Sequence, residues 1–133
     1  MPIKKVTIFK IEKPSTQDLN KELQWFSESI GLFGSRDKEK SCFRVFIELI
    51  KAKKDHRLLS SDEIASQAHI TRATAIHHLK NLQDRGLIRH QQNRYTLTVN
   101  DFVSLLEHVE QELDDVFEEL KEAAEELNKK IGL

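Results

Sequence analysis

Hydrophobic residues fall along this chain mostly at helical spacing. Leu19, Leu23, Phe26 and Ile30 recur at steps of four, three and four, one face of a helix. A second helix is expected from about Asp37 to Lys53, with Cys42, Val45, Phe46, Leu49 and Ile50 on its apolar face. Lys51, Lys53 and Lys54 lie near its end, where cations suit the helix dipole. Ala75, Leu79 and Leu82 mark a third face. Ile3 to Ile11 departs from this period; its weak alternation reads as a strand or an extended arm.

Capping signals set the boundaries. Pro14 and Ser15 open the first helix, with Ser15-x-x-Asp18 as an approximate capping box, and Gly31 and Gly34 close it in the loop GLFGS. After the connector KDHRLL, Ser60-x-x-Glu63 is a clean capping box for a helix of about two turns, which the next cap, Thr71, cuts short. The helix from Thr71 ends at Gly86, which takes the position where a left-handed residue is wanted. Two β-prone runs, LIRH and RYTLT, flank Gln91-Gln92-Asn93 and predict a hairpin with a polar tip. Asp101 caps the last helix.

That last helix has its own signature. Phe102, Leu106, Val109, Leu113, Val116, Leu120, Ala123 and Leu127 alternate steps of four and three, the 3.5-residue repeat of a coiled-coil seam. From Phe102 to Ile131 it would be about 45 Å long at 1.5 Å per residue. So narrow a stripe on so long a helix calls for a partner, either the same helix of a second subunit or the stripe at 16–30 of this chain. Self-association is the expectation, with Phe102, Leu106, Val109, Leu113, Val116, Leu120 and Leu127 as the dimerisation residues.

Composition narrows the class. Leu, Ile, Val and Phe make up 40 of 133 residues, too many for a disordered chain. The apolar fraction is still lean, which suits an elongated shape or a core completed by a second copy. The net charge of −1 hides a strong asymmetry. Residues 1–35 carry five Lys/Arg against four Asp/Glu, residues 36–100 thirteen against seven, and residues 101–133 three against eleven. A basic middle that also holds five of the six histidines points to a polyanion partner. No apolar run approaches the ~20 residues of a membrane span. The N-terminus lacks the continuous apolar stretch of a signal peptide. A cytoplasmic, nucleoid-associated protein is expected.

A helix, a capped two-turn helix, a turn, a longer helix and a hairpin make the order of a winged helix-turn-helix. The fold expected is mainly α with a small β-hairpin wing. Three parts follow: an N-terminal strand and helix extension at 1–35, a winged DNA-binding domain at 36–100, and an acidic dimerisation helix at 101–133. Over about residues 38–98 the sequence resembles ArsR/MarR-type prokaryotic transcriptional regulators. The resemblance rests on Thr71, His78-Leu79, Leu82 and Gly86-Leu87-Ile88, and the acidic helix resembles the dimerisation helix of such proteins. It implies a homodimer that reads a roughly palindromic site in double-stranded DNA.

Candidate contacts can be assigned from the helix at 71–85. With Ala75, Leu79 and Leu82 inward, the opposite face displays Arg72, Ala73, Ile76, His77 and Lys80, and no carboxylate. Arg72 suits guanine O6 and N7, and Ala73 and Ile76 suit thymine methyls, while His77 and Lys80 suit bases or phosphates. Thr71 and Thr74 at the helix start, and Ser60 and Ser61 at the earlier cap, suit phosphate oxygens. In the wing, Arg89 and Arg94 flank Gln91, Gln92 and Asn93.

Other chemistries find little support. His77 and His78 are adjacent, about 100° apart on a helix, and cannot clasp one ion. His78 is expected to pack beneath the reading helix through a hydrogen bond, and the single cysteine, Cys42, to act as a small hydrophobe. No metal or cofactor is expected, and the effector, if one exists, is not written in the residues. No phosphate-binding loop, HExxH or embedded nucleophile suggests an enzyme. Two competing functions stay open: an architectural DNA binder of weak sequence preference, and a winged-helix protein-interaction subunit without DNA function. The N-terminal 35 residues match no motif; Leu32 and Phe33 are apolar enough to line a pocket or to join the core.

Overall fold

The computed structural model describes residues 7–31 and 40–133. Five helices and three short strands follow in the order α1 (Leu19–Ser29), α2 (Ser41–Lys54), β1 (Leu59–Ser60), α3 (Ser61–Ala68), α4 (Arg72–Asp84), β2 (Ile88–Gln91), β3 (Arg94–Leu97) and α5 (Phe102–Ile131). The sheet is antiparallel in the order β1-β3-β2, with Leu59 opposite Tyr95 and Ile88 opposite Leu97. This is a winged helix-turn-helix, mostly helical, with a long C-terminal helix.

α2 runs through the centre. Val45, Phe46 and Leu49 are fully buried and share one core with Ile64 of α3, Ala75, Leu79 and Leu82 of α4, and Leu59, Leu87 and Leu97 of the sheet region. The 3.6-residue stripes of α2 and α4 therefore do what their spacing predicts. Cys42 is buried on the same face of α2. Lys53 at the end of α2 donates to the Leu97 carbonyl at 3.0 Å, which fastens the wing to the helix.

The caps hold where the sequence is most explicit. Ser60 accepts from the Glu63 N–H, and the Glu63 carboxylate accepts from the Ser60 N–H, both at 3.1 Å. Thr71 accepts from the Thr74 N–H at 3.1 Å, and Asp101 from the Ser104 N–H at 2.8 Å. Gly86 follows α4 at φ +73, the left-handed position that a residue with a Cβ enters at a cost.

Several elements differ from expectation. Of the two readings of Ile3 to Ile11, strand or extended arm, residues 7–11 take the arm, held to α1 by two hydrogen bonds. The Phe9 N–H donates to Ser29 O, and the Trp25 indole N–H to Ile11 O, each at 2.8 Å. No second strand lies beside the arm among the described residues to complete a ladder, and Ile8, Phe9 and Ile11 stay exposed. The first helix starts later than Ser15. Asp18 is its cap, accepting from the Asn20 N–H at 3.0 Å, while Thr16 accepts from Asp18.

Gly31 ends α1 at φ +57, and a Cβ there would sit 2.4 Å from the Thr7 carbonyl oxygen, so the arm passes over a position only glycine can fill. Leu32, Phe33, Gly34 and the expected second-helix start at Asp37 lie outside the described residues. The connector before Ser60 contributes β1, a two-residue strand too short to leave an alternation signal.

The largest difference concerns α5. Its first three turns pack on the chain's own core through Phe102, Leu105, Val109 and Glu112, with Leu105 and Val109 essentially inaccessible. Phe102 meets Phe26 edge to face at 5.6 Å, which is how α1 joins the domain, and lies 6.3 Å from Phe46. Phe102 and Val109, expected in an intersubunit seam, are therefore spent inside the subunit. Leu106 and Val116 are exposed, and so are Phe117, Leu120, Leu127 and Ile131, which continue the apolar side of the helix away from the domain.

Candidate nucleic-acid interface

The site is built on the exposed side of α4. Its inner face is fixed by Ala75, Leu79 and Leu82, so Arg72, Ala73, Ile76, His77 and Lys80 are all turned outward. Ile76 is 42% exposed, an apolar side chain that the fold leaves in water. His78 sits at the edge, its Nε2 2.6 Å from the Ser41 hydroxyl, as expected of a packed residue. Its ring is 5.5 Å from that of His77, so the two histidines neighbour each other without converging.

At the start of α4 the Thr71 hydroxyl is already engaged. It accepts from the Thr74 N–H and donates to the Thr74 hydroxyl at 2.8 Å. This capping fixes the N-terminal end of the helix, and the first N–H groups of a helix are the ones that suit a phosphate oxygen. The Ser60 hydroxyl is likewise used as an acceptor in its capping box, and Ser61 begins α3 half-buried.

Glu63 does more than close that box. Hydrogen bonds from the Ser60 backbone and hydroxyl, and the nearby Arg94 and Arg57 charges, hold its carboxyl below the usual carboxylate range. Arg94 donates to Glu63 Oε1 at 3.0 Å and to the Leu58 carbonyl at 3.3 Å. Of the two wing arginines, Arg94 is therefore a strut between β3 and α3. Arg89, exposed on β2 opposite Thr96, is the one displayed to the outside.

The wing tip is tighter than a three-residue turn. Gln91 still pairs with Arg94, and only Gln92 and Asn93 turn the chain, at φ 49 and 64. Two consecutive left-handed residues are what a two-residue turn of the I′ type demands, and Asn tolerates that region better than most side chains. Gln91, Gln92 and Asn93 are all exposed. Below the tip, His90 stacks on its cross-strand partner Tyr95 with centroids 4.4 Å apart and planes at 4°. A two-residue turn at 92–93 fixes that pairing, so the register was the signal that would have revealed it.

Two features of the site escaped the sequence. α4 carries no carboxylate on its outer face from Arg72 to Lys80, with exposed Asp84 one turn beyond, but Asp62 of α3 reaches the start of that face: Asp62 Oδ1 lies 3.2 Å from Arg72 Nε, with both side chains well exposed. An exposed pair of this kind contributes about 0.2–1 kcal/mol, so Arg72 is parked there and easily released. Asp62→Asn is expected to tighten binding to a DNA duplex about 2- to 5-fold at fixed salt, because it frees Arg72 and removes a negative charge beside the interface. Fluorescence anisotropy of a labelled duplex checks this; weaker binding by the variant would take Asp62 out of the interface.

The second feature is at the other end of α4. Arg85 donates to both Glu112 oxygens, at 2.8 and 3.3 Å, and His108 Nε2 lies 3.0 Å from the Arg85 carbonyl oxygen. The Glu112 side chain is only 5% exposed. The end of α4 is thus bolted to α5 by an ion pair whose members lie 27 residues apart, a spacing that carries no local pattern.

Among the described residues, no three or more His, Cys, Asp or Glu side chains are grouped as metal ligands would be. No described helix is long and apolar enough to cross a membrane. Residues 43–108 match the family model of the Crp-like helix-turn-helix domain. The matched segment runs from α2 to the second turn of α5, so it takes in α3, α4 and the whole wing and leaves out α1 and most of α5. It supports a DNA-binding regulator. No curated protein and no solved structure matches the chain.

Proposed function

We propose that this protein is a homodimeric, DNA-binding transcriptional regulator of prokaryotic type. α4 lies in the major groove and the wing at 87–98 follows the adjacent backbone. One observation carries the reading: within a segment that matches a helix-turn-helix model, α4 from Arg72 to Lys80 turns a partly apolar face without a carboxylate of its own to solvent, with Asp84 only at the far end. A surface built for phosphates avoids carboxylates, and side chains such as Ala73 and Ile76 suit thymine methyl groups.

Roles follow from placement. Arg72, Ala73, Ile76, His77 and Lys80 face the groove. Thr71, Thr74, Ser60 and Ser61 sit where backbone phosphates would pass, and Arg89 with Gln91, Gln92 and Asn93 extends the contact along the wing. Arg94 braces the wing through its exposed pair with Glu63. Dimerisation through α5 presents two such faces to a roughly palindromic site. The Crp-like helix-turn-helix match supports DNA binding by this segment; the dimer and the palindromic site rest on the resemblance to ArsR/MarR-type regulators. A binding protein of this kind works in the cytoplasm on the nucleoid, without catalysis.

Selection of bound sequences from a random duplex pool tests the proposal. The expected result is enrichment of an inverted repeat whose half-sites are a whole number of helical turns apart. Enrichment of no sequence, with binding retained, would favour an architectural binder. No recovery of DNA at all would leave a protein-interaction module.

A further inference from the structure

We infer that the free part of α5 pairs with a second copy of itself in antiparallel orientation, with residues 113–131 of the two chains overlapping symmetrically. The inference rests on the homodimer reading above and specifies how that dimer is built.

The first observation is which residues the subunit leaves over. Phe102, Leu105, Val109 and Glu112 are turned into the chain's own domain. Beyond them, Leu113 is half-buried, and Phe117, Leu120, Leu127 and Ile131 are between 55% and 68% exposed. With Ala124 these six positions follow steps of four, three, four, three and four, a coiled-coil stripe rotated from the one the domain uses. The stripe spans about 28 Å at 1.5 Å per residue, and from Phe117 onward nothing in the described subunit covers it.

Side-chain size decides the orientation. In a parallel pair each stripe residue meets its own copy, so Phe117 would face Phe117 and Ala124 would face Ala124. One layer is then overfilled and another left hollow. Antiparallel overlap of 113–131 sets Leu113 against Ile131 of the partner subunit, Phe117 against the partner's Leu127, and Leu120 against the partner's Ala124. Phe117 then meets a smaller Leu and Ala124 a larger one, no layer is empty, and interiors tolerate neither voids nor crowding.

Charge points the same way. Asp114 and Asp115 stand at one end of the stripe and Lys129 and Lys130 at the other. Parallel pairing would set carboxylates level with carboxylates and ammonium groups level with ammonium groups. The antiparallel overlap sets Asp114 and Asp115 level with the partner's Lys130 and the partner's Lys129, at both ends of the rod. It also holds the two winged domains at opposite ends of that rod.

Single cysteines at the stripe ends test this, using the full-length protein with wild type, whose one cysteine Cys42 is buried, as control. Leu113→Cys and Ile131→Cys are oxidised separately and as an equimolar mixture, with the oligomeric state of each measured by sedimentation. The expected result is a dimer in every sample and a disulfide-linked dimer in the mixture alone. Self-linking of either single variant would establish parallel pairing and overturn the inference while leaving the homodimer reading intact. Monomers in all samples, wild type included, would overturn both.

Discussion

Glu112→Ala is expected to lower the stability of the folded protein by about 3–5 kcal/mol. Glu112 is the most deeply buried charged residue described, and its two carboxylate oxygens hold the Arg85 guanidinium at the end of α4. Deleting the carboxylate leaves a guanidinium that is only 18% exposed without that counter-charge. Uncompensated charge, more than the loss of attraction, makes such a change costly. Replacing the pair together, Arg85→Met with Glu112→Leu, should recover most of the loss, because two apolar side chains fill the space with no charge to desolvate. Urea unfolding of the two single variants and the double variant gives the coupling energy directly. Single losses below about 1 kcal/mol would show that the pair is solvated and that α4 and α5 are joined by packing alone.

The other large effect is on DNA. Removing Lys80 should weaken binding at every sequence and lower the slope of log affinity against log salt by about one, as expected when one phosphate contact goes. Removing Arg72 should act differently, costing about 1–3 kcal/mol on the selected sequence and relaxing preference at a single base position. The contrast between the two variants carries the argument, since a merely sticky basic surface would lose affinity equally with either. Both side chains are exposed and neither belongs to the core, so the folded state should survive in both. Two variants that behave alike would place α4 across the backbone and out of the groove.

What the sequence made legible was local. Caps at Ser60, Thr71 and Asp101, and the inward residues Ala75, Leu79 and Leu82, are decided within four residues of themselves, and each stands where its spacing puts it. Contacts between distant residues left no such trace. Glu63 with Arg94, Lys53 with the Leu97 carbonyl and Arg85 with Glu112 join positions 27 to 44 apart in the chain. The outward face of α4 was readable by subtraction from its inner face, but Asp62 arrives from a neighbouring helix and changes the charge there. The tail shows a different limit. Its 3.5-residue repeat announces that α5 needs partners without saying how many. The domain takes Phe102, Leu105 and Val109, and a second stripe from Leu113 to Ile131 is left over. Two neighbours on adjacent faces give one blurred period.

The account depends most on α4 and the wing meeting phosphates. Binding of the wild-type protein to a random-sequence duplex of about three helical turns, followed across a salt series, tests that most directly. The account predicts measurable affinity at low salt and a steep, linear loss of log affinity with log salt. Absence of binding at the lowest salt, from protein that is folded by circular dichroism, would contradict it.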